Sequence, residues 1–441
     1  MLWAVAISAS ITAIWHFPGH MTVDSVVQMY EGFTGDYQSY NPPFMSMLLG
    51  WSYAATATQA SFFVANLCLF FCGLWLWLSS HDRLQIVSAV LILVVSLSPV
   101  VLTYNGVIWK DVFFANLAVL GFAVIAKGAG IRSAMLALVL LTLAAETRQQ
   151  GLLCLAIAIP VLVVRLWLNG ISLPRKLATI SVYFAVIAVT HMATQTLVQA
   201  NSKQPGLNGY SSGVKLLQIF DFAGVYASSN VSVARLEKYA SHDYLMQYFQ
   251  WFSPQRIDSM DQYKEQVTPM WSVPMEERTI AWMEMMREYP SQYLNHRATV
   301  WSWLLGFHDL RQCVPFNLGV SDAPANYVAA LGLSPGLTPR EQLYGSMVSP
   351  MVEAYFRPWP YVLLNVCLVI ALSVWSWRKH VAMIAMQITA LAYVASYFFI
   401  GIACDVRYVY FSILSSLVGL AYLLLQMSDW IQTRSISKGV R

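Results

Sequence analysis

The chain has 441 residues, of which 57% are hydrophobic and only 11% are charged. An average soluble domain carries about 25% charged residues, so this composition excludes an ordinary soluble globular protein. The formal net charge of +4 says less than its distribution, because orientation in a membrane follows the Lys and Arg content of individual loops.

Apolar runs long enough to cross a hydrocarbon layer of about 30 Å recur along the chain. They predict an all-α polytopic membrane protein with ten spans. The first run has no basic n-region and no small-residue cleavage site, so we expect a span and not a cleaved signal peptide. The predicted spans are Leu2 to Phe17, Ala60 to Ser79, Ile86 to Tyr104, Val112 to Ala126, Ser133 to Ala145, Gly151 to Trp167, Leu177 to Val198, Pro360 to Trp377, Met383 to Ile402 and Val409 to Gln426.

Lys and Arg occur in alternate connections between these spans. By the positive-inside rule, the basic connections and both termini face the cytoplasm. The apolar stretch Pro43 to Ala57 must then not cross, since a crossing there would place the basic loops outside; we interpret it as an interfacial helix. The basic residues concerned are Arg83, Lys127, Arg132, Arg175, Lys176, Arg378, Lys379, Arg434, Lys438 and Arg441.

This topology predicts three parts. Residues 1–198 form a transmembrane module of seven spans that includes the first outer loop, residues 18–59. Residues 199–359 form an outer, mainly helical domain, whose clearest helical region is Met275 to Gly306 with a break at Tyr289-Pro290. Residues 360–441 supply the last three spans and a cytoplasmic tail. Cys313 and Cys404 both lie outside and could form a disulfide in an oxidising compartment.

Ionisable residues gather at the outer ends of the predicted spans, whereas span interiors hold almost none. A charge at the bilayer centre costs about 2.5–3.5 kcal/mol, so this placement predicts a shared polar cavity that suits an anionic head group. Alternatively, each residue only anchors a helix or pairs locally, as Lys110 with Asp111, Arg148 with Glu146 and Arg407 with Asp405. The full set is His16, His20, Asp24, Lys110, Asp111, Glu146, Arg148, Arg357, Asp405 and Arg407.

The first outer loop is the most specific part of the sequence. It contains Asp24-Ser25-Val26-Val27-Gln28 and, further on, Asn41-Pro42-Pro43-Phe44, with no Lys or Arg. Ser25 to Phe33 can form a short amphipathic helix along the interface. The alternative role for Asp24 or Thr22 is to cap that helix, which is common for these residue types.

These motifs resemble the GT-C glycosyltransferases that use polyprenyl-phosphate sugars. That superfamily has an acidic residue in the first outer loop, then an interfacial helix bearing Gln or Tyr, then a Pro-Pro helix. The resemblance extends in order across nearly the whole chain, although Asn41 stands where many relatives carry His. The further motifs are Trp109-Lys110-Asp111, Arg148-Gln149-Gln150-Gly151, Tyr289-Pro290-Ser291-Gln292-Tyr293-Leu294 and Asp405-Val406-Arg407-Tyr408.

The resemblance implies transfer of a sugar from polyprenyl (undecaprenyl) phosphate to a cell-envelope glycan such as lipopolysaccharide O-antigen, at the periplasmic face of a bacterial inner membrane. Asp24 would be the catalytic base, with a pKa raised by partial burial. The donor phosphate would be bound by Lys110, Arg148 and Arg407. Candidate supporting or substrate-binding residues are His20, Gln28, Asp111, Gln149, Asp405 and Arg357.

The expected partners are the lipid-linked donor, a glycan or glycolipid acceptor and membrane lipid, with no nucleic acid. No cofactor is expected to be required. Some relatives use a divalent cation, to which Asp24, Asp111 and His20 could offer ligands for Mg²⁺ or Mn²⁺. Short cytoplasmic connections exclude a nucleotide-sugar site, and no P-loop motif is present. The alternatives are an O-antigen ligase or polymerase and, from another class, a secondary transporter. A third is a non-catalytic membrane scaffold that acts through its large outer segment.

Overall fold

The structure is a computed structural model of the chain. It describes residues 1–37, 41–79, 84–128, 130–168, 172–203, 209–227, 231–232, 234, 236–261 and 272–439. About 80% of the described residues are helical. The described residues form isolated β-bridges but no strand, so the prediction of a mainly helical protein is confirmed.

The helices are numbered here in chain order over the described residues. They are α1 (Leu2–His16), α2 (Val23–Thr34), α3 (Pro43–Thr56), α4 (Ala60–Leu78), α5 (Gln85–Ser96), α6 (Pro99–Asn105), α7 (Lys110–Lys127), α8 (Ile131–Thr147), α9 (Leu152–Leu168), α10 (Leu173–Ala200), α11 (Gly209–Ala227), α12 (His242–Phe249), α13 (Asp258–Asp261), α14 (Met275–Glu288), α15 (Pro290–Leu304), α16 (Ala325–Ala330), α17 (Pro339–Val348), α18 (Val352–Tyr355), α19 (Pro358–Ile400) and α20 (Tyr410–Gly439).

Five helical segments within the described residues are long and apolar enough to cross a membrane, or six if α5 and α6 count as one bent span. Helix α1 is apolar but has only 15 residues. These apolar helices indicate a membrane-embedded protein. The five segments are Ala60–Leu78, Gln149–Trp167, Leu173–Ala200, Pro358–Ile400 and Val406–Thr433.

The predicted span Ile86 to Tyr104 consists of two helices with a bend between them. Helix α5 ends at Ser96, and α6 begins at Pro99 at an angle of 70° to it. Proline lacks the N–H that would continue the helical hydrogen bonds, and it disfavours helical angles at the residue before it. Ser98 accordingly has φ −57° and ψ 138°, which ends one helix and redirects the next.

Two of the predicted spans, Pro360 to Trp377 and Met383 to Ile402, lie within the single helical run α19. The run contains 43 residues, which at a rise of 1.5 Å per residue makes it roughly twice as long as a 30 Å hydrocarbon layer is thick. Its helical angles are interrupted at Ser376, where φ is −170° and ψ is 84°. The interruption comes two residues before the basic pair Arg378 and Lys379.

The first compact unit comprises residues 1–207, 316–394 and 407–441. In it, α2 covers the predicted interfacial helix and α3 covers the stretch that the sequence excluded as a span. The backbones of these two helices touch. A Cβ on Gly32 would lie 1.7 Å from the Ser46 carbonyl oxygen, and a Cβ on Gly50 would lie 2.2 Å from backbone atoms of Gly32. Only glycine permits this approach.

Buried amides join several helices of the first unit. Nδ2 of Asn116 on α7 donates to Oδ1 of Asn66 on α4 (2.9 Å) and to Oδ1 of Asn105 on α6 (3.1 Å). Nδ2 of Asn105 in turn donates to the Tyr410 hydroxyl on α20 (3.2 Å). Polar side chains between apolar helices stabilise their association, and this network places the start of α7 close to the start of α20.

The second compact unit comprises residues 208–315 and 395–406. Its helical region breaks at Tyr289-Pro290, as predicted, because α14 ends at Glu288 and α15 begins at Pro290. Cys313 and Cys404 form a disulfide. The same unit is also closed by a hydrogen bond of 2.7 Å from Nη1 of Arg297 to the carbonyl oxygen of Gly401.

These units divide the chain differently from the three predicted parts. Residues 316–359, which the sequence groups with the outer segment, belong to the first unit. Two of the basic residues used for the topology, Arg83 and Arg441, lie outside the described residues, as do the side chains of Arg434 and Lys438.

Candidate functional site

The first outer loop is fixed against the segment that leads into α7. The backbone N–H of His20 donates to the Gly106 carbonyl (2.8 Å), and the Ile108 N–H donates back to the His20 carbonyl (2.9 Å). The Ser25 hydroxyl donates to the Ile108 carbonyl oxygen. This pairing brings the start of α2, with Asp24, beside the start of α7, with Lys110.

Helix α2 begins without the side-chain cap that the sequence offered as an alternative role. Thr22 is the N-cap residue, but it makes no side-chain capping hydrogen bond. Its Oγ1 instead accepts from the indole N–H of Trp109 at 3.1 Å. Asp24 is the second residue of α2, and its carboxylate forms an ion pair with Arg407.

Oδ2 of Asp24 accepts a hydrogen bond of 2.7 Å from Nη2 of Arg407. Both side chains are partly enclosed, with 21% of the Asp24 side chain and 11% of the Arg407 side chain exposed. The guanidinium also lies 5.3 Å from the ring centres of both Trp109 and Tyr408. Partial burial of Asp24 was expected to favour its protonated form. The ion pair with Arg407 acts in the opposite direction, because it favours the charged carboxylate.

Arg148 contacts the same tyrosine ring. Its guanidinium is 5.0 Å from the centre of the Tyr408 ring, and its Nη1 is 2.8 Å from Oδ1 of Asp111. Asp111 is almost fully buried, with 1% of its side chain exposed. Tyr408 is therefore a shared aromatic surface for two guanidinium groups, which lowers the cost of keeping like charges close together.

Lys110 is the third cation, and its Nζ donates to Oδ1 of Asn41 at 2.6 Å. Burial of the ammonium group lowers the pKa of Lys110 to about 8, and the positive charges of Arg148 and Arg407 act in the same direction. The carboxylates of Asp24 and Asp111 oppose this change. The five charged groups thus interact, and with Lys110 protonated they sum to one net positive charge.

The structure brings together all four residues to which the sequence assigned central roles: Asp24, Lys110, Arg148 and Arg407. Their partners differ from the local pairs that the sequence offered as the alternative. Glu146 is hydrogen-bonded to His191 (2.5 Å) and Gln195 (2.8 Å). Asp405 belongs to the second unit, where it lies 3.5 Å from Arg256.

The remaining candidates have varied surroundings. Gln28 on α2 is buried, and its Nε2 has no hydrogen-bond partner among the described residues. Gln149 is exposed in a short 3-10 turn. Arg357 forms a partly exposed ion pair with Glu353, four residues earlier in the chain.

His20 lies in a separate buried cluster of the first unit. Its Nδ1 is 3.2 Å from Oε1 of Glu341 and 3.1 Å from the Gly319 nitrogen. Nδ1 cannot donate to one and accept from the other. We assign the proton to Nδ1, because a carboxylate is the stronger acceptor. Nε2 then accepts from Nδ1 of His16, at 2.8 Å.

The sequence reasoning missed Glu341. The hydrogen bond from His20, with further bonds from Thr338, lowers the pKa of Glu341 to about 2. Thr338 and Glu341 form a capping box at the start of α17. The Thr-x-x-Glu spacing is a recognisable helix-start signal, but nothing in it indicates a partner more than 300 residues away.

None of the described residues form a group of three or more His, Cys, Asp and Glu side chains arranged to hold a metal ion. The three candidate ligands each have another partner: Asp24 has Arg407, Asp111 has Arg148, and His20 has Glu341. A divalent cation at Asp24 or Asp111 would also meet the nearby cations. This set of residues therefore fits an anion better than it fits Mg²⁺ or Mn²⁺.

No protein-family model, curated protein or solved structure matches this chain. The chemistry of the site is therefore argued from its own residues. A partly exposed carboxylate can accept a proton, and three cations can stabilise an anion, in a place enclosed by the Trp109 and Tyr408 rings.

Proposed function

We propose that the protein is a GT-C-type glycosyltransferase that moves a sugar from polyprenyl (undecaprenyl) phosphate to a cell-envelope glycan acceptor. The observation that supports it best is the meeting of one carboxylate, Asp24, with three cations, Lys110, Arg148 and Arg407. Transfer from a lipid phosphate needs a base for the acceptor hydroxyl and cations for the departing phosphate. A site with one net positive charge suits a phosphodiester donor, which carries one negative charge.

In the proposed reaction, the acceptor hydroxyl oxygen forms a bond to the anomeric carbon and gives its proton to Asp24. The bond between the anomeric carbon and the phosphate oxygen breaks, and its electron pair stays on that oxygen. Polyprenyl phosphate leaves with one more negative charge than the phosphodiester had. Arg148 and Arg407 can bind phosphate oxygens bidentately, and Lys110 acts as a point charge.

The proposal includes the predicted topology of ten crossings, with both termini in the cytoplasm and the site at the periplasmic face of a bacterial inner membrane. An apolar lipid tail requires an apolar surface. A cavity of about 500 Å³ between α1 and α4 is lined by apolar and small side chains, among them Ala9, Ala13, Leu67, Phe71 and Trp75. Its apolar lining is compatible with contact to a lipid tail.

The proposal is tested by incubating the purified protein with a panel of undecaprenyl-phosphate sugars and bacterial envelope glycans, and measuring sugar transfer. In Asp24→Asn we expect kcat to fall by about 10³-fold, within the range for loss of a general base. Donor binding should persist, because the three cations are unchanged. Asp309→Asn, which alters an exposed carboxylate, is the matched control and should keep wild-type activity.

Full activity in Asp24→Asn would show that Asp24 is not the base. If the wild-type protein transferred sugar from none of the lipid phosphates, the enzyme class itself would be wrong. Transfer of a preassembled glycan from a lipid diphosphate would instead favour the ligase or polymerase alternative.

A further inference from the structure

The three cations of the site differ in what they hold. Arg148 lies against Asp111, whose side chain is 1% exposed, and Lys110 is hydrogen-bonded to a neutral amide, that of Asn41. Arg407 is hydrogen-bonded to Asp24, the proposed base. Arg407 thus serves a group needed for proton transfer, whereas Arg148 holds a carboxylate that no substrate can reach.

The aromatic contacts of Arg407 do not fix the direction in which its N–H groups point. Its guanidinium lies against the faces of both Trp109 and Tyr408. Attraction between a cation and an aromatic face depends weakly on the direction in which the N–H groups point. The Trp109 ring is itself held by its hydrogen bond to Thr22. Arg407 can therefore turn on a fixed aromatic surface.

A phosphate that enters among the cations changes Asp24 in two ways that act in the same direction. Phosphate oxygens compete for the planar N–H groups of Arg407, which they match bidentately. The negative charge of the phosphate also lies near the Asp24 carboxylate and favours its protonated form. Both effects make Asp24 a better proton acceptor when phosphate is present than when the site is empty.

We propose that Arg407 makes the base conditional on the donor: it holds Asp24 in the empty site, and the donor phosphate draws it away. The inference rests on the proposed function and adds a mode of regulation to the same site. Its consequence is an order of events, since an acceptor hydroxyl or a water molecule meets an active base only after the donor has bound. Premature proton transfer in the empty site is thereby suppressed.

The test measures the reactivity of Asp24 and needs no turnover. Dicyclohexylcarbodiimide modifies protonated carboxyl groups in apolar surroundings, and peptide mass spectrometry quantifies the adduct at each carboxylate. Undecaprenyl phosphate is the probe, and its binding is measured in parallel as a rise in melting temperature. In the wild-type protein we expect the lipid to increase modification of Asp24 by about tenfold, which corresponds to roughly 1.4 kcal/mol.

Two comparisons control the experiment. Asp111 in the same sample should show no increase, because only 1% of its side chain is exposed and the reagent cannot reach it. In Arg407→Gln, Asp24 should be modified without lipid, and the lipid should add little. Arg311→Gln, a change in an exposed pair, should respond like the wild type.

Unchanged or reduced modification of Asp24 in protein that binds undecaprenyl phosphate would overturn the role of Arg407 and leave the proposed transfer reaction standing. Failure of the wild-type protein to bind any undecaprenyl phosphate would overturn the proposed function, and this inference with it. The parallel binding measurement separates the two results.

Discussion

Each of the two units contains a carboxylate paired with an arginine, and the two pairs differ in enclosure. In the second unit, the side chains of Asp221 and Arg297 are both 0% exposed. Asp221 also accepts from the ring nitrogens of Trp282 (2.8 Å) and His296 (3.0 Å). In the first unit, the pair of Asp24 and Arg407 keeps part of its surface open. A closed cluster can only hold helices together, whereas an open one can exchange a partner for a ligand.

The histidine of the closed cluster is consistent with this structural role. Burial lowers the pKa of His296, and the interaction with Asp221 opposes this only in part. His296 therefore stays neutral near pH 7, and the negative charge of Asp221 is balanced by Arg297. The cluster joins α11, α14 and α15 without carrying net charge.

The largest expected difference between the two clusters is in stability. Asp221→Asn leaves the buried Arg297 without a counter-charge, so we expect a loss of about 3–5 kcal/mol in the free energy of unfolding. Asp24→Asn should cost less, about 1–3 kcal/mol, because part of the pair is open to water. Denaturant titration of both variants in detergent measures this difference. Equal losses would mean that the pair of Asp24 and Arg407 is structural as well.

A smaller effect is expected from pH at Lys110. The lowered pKa of about 8 means that the ammonium group loses its charge as pH rises through that value. Donor affinity should then weaken, and kcat/KM for the donor should fall by about tenfold, which is the scale of one hydrogen bond to a charged group. Arginine stays protonated in this range, so in Lys110→Arg the decline should disappear.

The pH profile of kcat/KM from pH 6 to 10 tests this prediction, because it reports the ionisations of the free enzyme. A decline that is the same in Lys110→Arg and in the wild type would assign the titration to another group.

The smallest effect is expected at a third arginine pair, that of Arg311 and Asp309, which is more exposed than the other two. Nε of Arg311 is 3.1 Å from Oδ1 of Asp309, and 78% of the Arg311 side chain is exposed. Such pairs contribute about 0–1 kcal/mol. Arg311→Gln should therefore shift the free energy of unfolding by less than about 1 kcal/mol and leave sugar transfer unchanged. A large loss in either measurement would show that exposure alone does not rank these pairs.

Hydrophobic periodicity and residue type were sufficient to predict several features. The apolar runs predict the positions of most helices, and Tyr289-Pro290 predicts a break that the structure contains. The gathering of Asp24 with Lys110, Arg148 and Arg407 was also expected, because each lies at the predicted outer end of an apolar run. The helices and the break depend on local sequence. The gathering of charged residues follows from the need to keep each of them near the same membrane interface.

The choice of ion-pair partners could not be predicted. Arg148 is paired with Asp111, although Glu146 is nearer in sequence, since the pairing depends on how α8 is rotated against α7. The contact between His20 and Glu341 depends in the same way on packing between distant segments. The bend at Pro99 could have been predicted, because proline restricts the backbone of Ser98 locally.

The glycine contact between α2 and α3 bears on how this protein could be changed by mutation. Since any side chain at Gly32 or Gly50 would overlap backbone atoms of the other helix, nearly every substitution in a saturation library should be lost at both positions. The two helices then behave as one rigid block, which includes Asp24. Donor or acceptor preference would have to be altered through side chains outside this contact, where a larger residue can be accommodated without separating the two backbones.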